Sequence, residues 1–229
     1  MRRRLVLFDI DGTLITDGGA ARSAFTDALR NVFGYDGDLR RYDFSGRTDP
    51  QITTMVLRDA GWSERDIAQK FDELWPVYLE GLARNATSDR VRALPGIREL
   101  VAALHDERRV TLALLTGNIE RGARLKLTPP ALNDYFPFGA FGSDSANREE
   151  LPPIAVERAS QIDGYRFDGE DVVIIGDSIY DVRCGVPHRA TTIAIASGKT
   201  PAETLRAENP RHFFESAEDL DALMDAIAG

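Results

Sequence analysis

The sequence is poor in cysteine and lysine and contains no long uninterrupted apolar segment. Its 229 residues include 1 cysteine, Cys184, which excludes an internal disulfide and a metal site built from several cysteines. No segment approaches the roughly 18 consecutive apolar residues that a membrane-spanning helix needs. The basic start of the chain leads into an apolar run that is too short for a signal peptide and is interrupted by aspartates. We therefore expect a cytoplasmic protein with no membrane partner.

Acidic residues outnumber basic ones, and lysine is rare among the basic residues. The sequence has 28 lysine and arginine residues against 37 aspartate and glutamate residues, and lysine occurs only at positions 70, 126 and 199. The formal net charge of -9 at pH 7 argues against nucleic acid as a partner, since a phosphate backbone is bound by a basic surface. The chain is long enough for one large domain or two modest ones.

Short apolar segments alternate with segments of helical periodicity through most of the chain. Helical patterns cover, for example, residues 96–106, 151–162 and 217–227. Apolar strands that alternate with helices are typical of a parallel sheet covered on both faces. The predicted fold class is therefore α/β, with a doubly wound, mainly parallel sheet. The predicted strands lie at residues 4–10, 109–118, 137–144, 171–178 and 190–198, with a weaker one at 211–216.

One gap in this alternation is too long for a single crossover helix. About ninety residues separate the first two predicted strands. Within this gap, residues 19–34, 49–61 and 63–85 all have helical patterns, and the last of these reads as one long helix. We predict an α/β core of residues 1–15 and 89–229 and an inserted helical cap domain of residues 16–88.

Acidic and hydroxyl side chains follow three of the predicted strands. Asp9 and Asp11 end the first strand. Thr116 ends the second, while Asp177 and Asp181 follow the fourth. Ligands of a doubly wound sheet bind beyond the carboxyl ends of its strands, so we expect these groups at one edge. Several carboxylates without cysteine or paired histidine suit a hard divalent cation, and Mg²⁺ is the predicted cofactor.

The two aspartates of the first strand suggest two different catalytic roles. Asp9 is placed to act as a nucleophile that takes a phosphoryl group, and Asp11 to act as general acid and base. Gly12 permits a sharp turn, and backbone amides beside it can bind phosphate oxygens. Thr116 and the amide of Gly117, expected at a helix start, add donors for the same phosphate.

Three motifs together resemble the haloacid dehalogenase superfamily of phosphohydrolases: DIDGTLI at residues 9–15, LLTGN at 114–118 and IIGDSIYDV at 174–182. The position of the insert is similar to that in members with a small helical cap, such as phosphoglycolate phosphatase-like enzymes. The resemblance implies a Rossmann-like core and a Mg²⁺-dependent phosphatase that acts on a small phosphorylated metabolite through an aspartyl-phosphate.

The resemblance also implies roles for individual residues. Asp9 matches the nucleophile and a Mg²⁺ ligand, and Asp11 matches the acid/base, whose main-chain carbonyl also binds the metal. Thr116 matches the hydroxyl that binds phosphate. Asp177 matches the acidic metal ligand on the fourth strand, and Asp181 a residue that orients the site or the waters of the metal.

The resemblance also implies a cation, usually a lysine, that stabilises the phosphoryl group. The position that corresponds to this lysine is Glu150 in the present sequence. Arg148 is the favoured substitute, since a guanidinium can bridge a carboxylate and a phosphate. Lys126 is a rival, but it lies eight residues past Asn118, roughly 12 Å along a helix. That spacing predicts that it points away from the strand ends. Lys199, after the fifth strand, is a third candidate.

Two further residues are candidates for substrate binding. Asn118 follows the second strand, where the alternative role is a helix cap. Arg47 lies in a cap segment, residues 43–52, that reads substrate in similar proteins, and it could equally be a solvated loop arginine.

Other activities remain open at this point. A phosphotransferase or phosphomutase would use the same chemistry, and a non-catalytic regulatory protein could keep the fold. A 2-haloacid dehalogenase needs neither metal nor Asp11, so the paired aspartates disfavour it. A phosphonate hydrolase would want a cap lysine, and Lys70 lies within a predicted long helix.

Overall fold

The computed structural model describes residues 3–229, in which strands and helices alternate on either side of a helical segment. No helix in this part of the chain is long and apolar enough to cross a membrane. The strands are β1 (Arg4–Phe8), β2 (Ile15–Thr16), β3 (Arg92–Ala93), β4 (Val110–Thr116), β5 (Gly139–Phe141), β6 (Val172–Gly176), β7 (Thr191–Ile195) and β8 (His212–Phe214). The helices are α1 (Ala20–Phe33), α2 (Asp49–Asp59), α3 (Glu64–Gln69), α4 (Phe71–Asn85), α5 (Ile97–Asp106), α6 (Glu120–Leu127), α7 (Leu151–Asp163), α8 (Ile179–Gly185), α9 (Ala202–Ala207) and α10 (Leu220–Ala228).

Six strands form one parallel sheet in the order β5-β4-β1-β6-β7-β8, which confirms the predicted fold class. The chain moves from β1 to β4 and β5 on one side, and then returns to place β6 on the other side of β1. This reversal opens a crevice at the carboxyl end of β1. The topology therefore assigns the residues that follow β1 to the place where such sheets bind ligands.

Both faces of the sheet are buried because successive residues of a strand point to opposite sides. Val6 and Phe8 of β1 pack into one hydrophobic cluster, which includes apolar residues of α5 and α10. Leu5 and Leu7 pack into a second cluster, which includes apolar residues of α7. Helices on both faces hold β1 rigidly, so the residues after it have a fixed position.

The helical segment between β2 and β3 has its own hydrophobic cluster, in which Phe25, Leu29 and Tyr78 are buried. Strands β2 and β3 pair antiparallel at its base, with Ile15 opposite Ala93. This pairing holds the two chain ends of the segment together beside the crevice.

The prediction of one long helix over residues 63–85 is wrong, because the helix breaks at Lys70. That residue ends α3 and precedes α4 with φ −101° and ψ 4°, outside the α-helical range. Asp72 and Glu73 lie in the first turn of α4, where negative charge favours a new helix start. Phe71 stacks on Trp75 at 5.0 Å between ring centroids, which anchors that start to the hydrophobic cluster.

We expect Leu114→Ala in β4 to lower the free energy of unfolding by about 2–5 kcal/mol, because Leu114 is fully buried and its truncation leaves a cavity. Ile162→Ala removes the same number of carbon atoms from a side chain that is 62% exposed, and should change stability by no more than about 0.5 kcal/mol. Urea unfolding measures both, and equal losses would contradict this assignment of the core.

Candidate active site

Asp9 is the first residue beyond β1 and is buried at the crevice. Its amide donates to the carbonyl of Ile175 in β6 at 3.0 Å, so the sheet hydrogen bonding continues through it. The chain then turns at Gly12, whose φ is +89°. A Cβ at Gly12 would lie 2.4 Å from Oδ2 of Asp177, so this position requires glycine for both its conformation and its close approach.

Three buried carboxylates meet beside this turn. Asp9, Asp177 and Asp181 each offer an oxygen, and these oxygens lie within 4.8 Å of one another. Thr13 Oγ1 donates to Oδ1 of Asp177 at 3.0 Å. Asp181 lies in the first turn of α8 and accepts from the amide and the hydroxyl of Ser178 at 2.9 and 2.7 Å, an arrangement that caps the helix. The capping fixes the Asp181 carboxylate relative to the other two.

Crowding of these acids disfavours their ionised forms. Burial raises the pKa of Asp9 to about 7, an effect that Arg148 opposes and that Asp181 and Asp11 increase. Burial, together with Asp9 and Asp181, also raises the pKa of Asp177 well above its ordinary value.

The donor set fits a hard cation. Both oxygens of Asp181 already accept hydrogen bonds from Ser178 and Arg148, whereas no residue within 3–229 donates to Oδ2 of Asp9 or Oδ2 of Asp177. Mg²⁺ prefers oxygen ligands and is commonly held by one or two carboxylates. Oδ2 of Asp177 has no donor, and the Asp9 carboxylate has lone pairs beyond its single contact with Arg148, so both residues suit this ion. Asp9 and Asp177 are thus the residues that would hold it.

Arg148 is the cation in contact with Asp9. It lies in a single 3-10 turn, Arg148–Glu150, that precedes α7, and it is 4% exposed. One nitrogen, Nη2, donates to Oδ1 of Asp9 at 3.1 Å, to the carbonyl of Leu115 at 3.2 Å, and to Oδ1 of Asp181. Burial alone would lower the pKa of Arg148, but the carboxylates of Asp181 and Asp9 raise it above its ordinary value. The guanidinium therefore stays charged between the two acids.

Lys126 does not point away from the strand ends, contrary to the sequence-based prediction. Its Nζ donates to Oδ2 of Asp11 at 2.7 Å and to Oδ1 of Asn118 at 2.6 Å. The prediction used only the backbone rise between Asn118 and Lys126 and left out the length of the lysine side chain. On a helix that side chain extends toward the N-terminus, which here is the end nearest the strand ends. Burial lowers the pKa of Lys126, but Asp11 and the other acids nearby outweigh it and raise the pKa above its ordinary value.

Thr116, the last residue of β4, is fully buried beside the crevice. Its Oγ1 accepts from the side-chain amide of Asn118 at 2.8 Å, which leaves the hydroxyl hydrogen free to donate. The expected helix start at Gly117 is wrong, because α6 begins at Glu120. A Cβ at Gly117 would lie 2.1 Å from the carbonyl oxygen of Arg47. The segment of residues 43–49, which we call the cap loop, therefore passes directly over this glycine.

The cap loop is bonded to the core by residues that the sequence did not identify. Thr48 Oγ1 donates to the carbonyl of Ala146 at 2.8 Å. The amide of Asp49 donates to the carbonyl of Gly117 at 2.7 Å, and Oδ2 of Asp49 accepts from the amide of Ile119 at 2.9 Å. Thr48 also caps α2, and a threonine before Asp49-Pro50 is the only local signal of this segment. These bonds attach this segment to the core beside the crevice.

A cavity of about 370 Å³ lies between the cap and the strand ends, a size suited to a small molecule. Arg47 lines it and is stacked over the ring of Tyr180, 5.1 Å from its centroid. Lys199 also lines the cavity and is exposed. The wall combines acidic, basic and apolar groups, among them Asp9, Asp11, Arg47, Phe44, Tyr78 and Lys126.

The six-stranded parallel sheet, its switch-point crevice and the buried carboxylates define a doubly wound α/β protein with an acidic site at the end of β1. A family model described as haloacid dehalogenase-like hydrolase matches residues 6–185, and a second, HAD-hydrolase-like model matches residues 152–222. The chain belongs to the haloacid dehalogenase-like hydrolases.

Similar proteins span nearly the whole chain. A phosphoglycolate phosphatase of Nitrosococcus oceani is 24% identical over 98% of this chain and 97% of its own length. A pyrophosphatase PpaX of Halalkalibacterium halodurans is 24% identical over 96% of both chains. The crystal structure of a hydrolase from Pseudomonas syringae has a TM-score of 0.76 at 20% identity, with full coverage of both chains, and shows the same fold.

We expect Mg²⁺ to raise the melting temperature, because an ion held by Asp9 and Asp177 binds only the folded state. An ion concentration 100 times the Kd would add about 2.7 kcal/mol of stability. Thermal melts with MgCl₂, with EDTA and with NaCl of equal ionic strength measure this shift. Asp177→Asn should abolish it, whereas Asp144→Asn should keep it, since Asp144 pairs instead with Arg158. An unchanged shift in Asp177→Asn would exclude this placement of the ion.

Proposed function

We propose that this protein is a Mg²⁺-dependent phosphatase that hydrolyses a small phosphoric monoester through an aspartyl-phosphate on Asp9. The observation that carries the proposal is the state of the Asp9 carboxylate: Arg148 binds Oδ1 at 3.1 Å, while Oδ2 accepts from no residue within 3–229. A carboxylate that is fixed through one oxygen and free at the other, at a ligand-binding crevice, is arranged for nucleophilic attack.

In the first step, Oδ2 of Asp9 attacks phosphorus, and the bond from phosphorus to the ester oxygen breaks. The departing oxygen takes a proton from Asp11, so an alcohol leaves. Arg148, the Thr116 hydroxyl and the amide of Gly117 are the donors that bind the transferred phosphoryl oxygens. Mg²⁺ bound by Asp9 and Asp177 would offset the repulsion between the phosphate and the carboxylate.

In the second step, water attacks the phosphorus of the aspartyl-phosphate and passes its proton to Asp11. The bond between phosphorus and Oδ2 of Asp9 breaks, inorganic phosphate leaves, and Asp11 again carries the proton used in the first step. Asp181 supports both steps indirectly, since it holds Arg148 against Asp9. The closed cap limits the entry of other water molecules.

The cavity and the relatives both support a small phosphorylated substrate. A volume of about 370 Å³ admits a small phosphorylated metabolite. Arg47 is the cap residue proposed to contact the substrate, since its guanidinium lines the cavity and its Nε is buried without a hydrogen-bond partner among residues 3–229. The names of two relatives refer to phosphoglycolate, which is a phosphoric monoester, and to pyrophosphate, which is a phosphoanhydride; both are small anions.

Asp9→Asn should lower kcat on p-nitrophenyl phosphate, and on the best ester of a phosphorylated-metabolite panel, by at least about 10³-fold, because an amide cannot act as this nucleophile. EDTA should also abolish wild-type turnover. Circular dichroism checks that the variant is folded, and Asp144→Asn serves as the matched control with near wild-type rate. Undiminished turnover by folded Asp9→Asn would refute the role of Asp9.

Arg148→Lys should lower kcat by about 10–100-fold, because a single ammonium cannot reproduce the planar contact with Asp9 and Asp181. The control is Arg158→Lys, whose arginine forms a part-exposed ion pair with Asp144 at 2.7 Å, and it should keep the wild-type rate. Steady-state kinetics on p-nitrophenyl phosphate measure both variants. Equal rates in the two would show that the phosphoryl group is stabilised by another cation.

A further inference from the structure

Two side chains donate hydrogen bonds to the same oxygen of Asp11. Lys126 Nζ lies 2.7 Å from Oδ2 of Asp11, and the side-chain amide of Asn118 lies 2.8 Å from the same oxygen. Lys126 and Asn118 also bind each other at 2.6 Å, so the three side chains form a closed triangle. We refer to Asp11, Asn118 and Lys126 as the Asp11 clamp.

The clamp leaves the two oxygens of Asp11 in different environments. No residue within 3–229 donates to Oδ1, whereas Oδ2 accepts from a lysine and an amide. Two donors on one oxygen leave no room for a proton there, so a proton carried by Asp11 lies on Oδ1. The clamp therefore fixes which oxygen exchanges protons and how it is oriented.

The clamp joins a buried lysine to a carboxylate that is partly exposed. The Lys126 side chain is 4% exposed, while that of Asp11 is 40% exposed and would otherwise rotate in water. A buried ammonium is costly unless it is paired, and here Asp11 and Asn118 satisfy it. The buried ammonium of Lys126 therefore holds the partly exposed carboxyl group of Asp11 in one orientation.

We propose that Lys126 is a positioning residue for Asp11, acting together with Asn118 to direct Oδ1 of Asp11 at the ester oxygen that leaves. The inference rests on the proposed function and adds to it a division between two cations. Arg148 serves the nucleophile Asp9, and Lys126 serves the acid/base Asp11 without contacting the phosphoryl group.

If Lys126 acts only through Asp11, the loss of rate on removing Lys126 should depend on the basicity of the leaving group. The value of kcat/KM for a phosphatase of this kind reports the steps up to departure of the alcohol, in which Oδ1 of Asp11 gives its proton to the ester oxygen. A strongly basic leaving group needs that proton, whereas p-nitrophenolate leaves without it. Loss of the orientation should therefore slow esters of basic alcohols more than p-nitrophenyl phosphate.

The experiment compares kcat/KM of Lys126→Met and wild type on p-nitrophenyl phosphate, phenyl phosphate and p-methoxyphenyl phosphate. We expect a loss of about 100-fold on the two esters with more basic leaving groups and less than about tenfold on p-nitrophenyl phosphate. Lys70→Met is the control, since Lys70 pairs with Glu73 on the surface of the cap, and it should not change the ratio between substrates.

Asn118→Ala provides a second variant with the same expected selectivity, and it decides the question if Lys126→Met does not fold. A loss of equal size on all three esters, in either folded variant, would mean a structural role and would overturn this inference alone. Absence of wild-type turnover on every ester would instead overturn the proposed function, and this inference with it.

Discussion

The contact of Arg148 with Asp9 and Asp181 is the interaction on which the site depends. Three buried carboxylates within 4.8 Å of one another repel, and desolvation adds to the cost of their charge. One buried guanidinium offsets part of that cost and fixes the relative positions of two of the acids. The remaining negative charge, on Asp9 and Asp177, is what a divalent ion would neutralise. Under the proposed function, binding of a cation and a phosphate would offset this loss of local stability.

The fold fixes the relative positions of these acidic residues. Strand β1 is buried on both faces and has β4 and β6 as neighbours, so the residue after β1 cannot move away from the residues after those strands. The capping of α8 by Ser178 and Asp181 fixes a second side of the site. The cap loop is attached to the core by hydrogen bonds of Thr48 and Asp49. Under the proposed function these bonds break when substrate enters. Under the proposed function, the rigid α/β core carries the reacting groups, and the helical segment between β2 and β3 covers them.

The sequence predicted the fold class and the convergence of acids well, because both follow from strand topology: residues after parallel strands share one edge. It could not predict the direction of Lys126, because backbone spacing omits the length and lean of the side chain. It missed Thr48 and Asp49 as core contacts, since their partners at Gly117, Ile119 and Ala146 are distant in sequence. The helix break at Lys70 also depends on packing, as no glycine or proline marks it. The sequence therefore predicted which acids lie together at the strand ends, but not the contacts between the helical segment and the core.

The central claim is that Asp9 and Asp177 share one divalent ion while Oδ2 of Asp9 is free to bond to phosphorus. A crystal structure with Mg²⁺ and beryllofluoride, a mimic of a phosphoryl group on a carboxylate, tests it most directly. We expect beryllium bonded to Oδ2 of Asp9, Arg148 still on Oδ1, and the ion coordinated by both aspartates. Beryllofluoride on another residue, or an ion that does not contact Asp177, would contradict it.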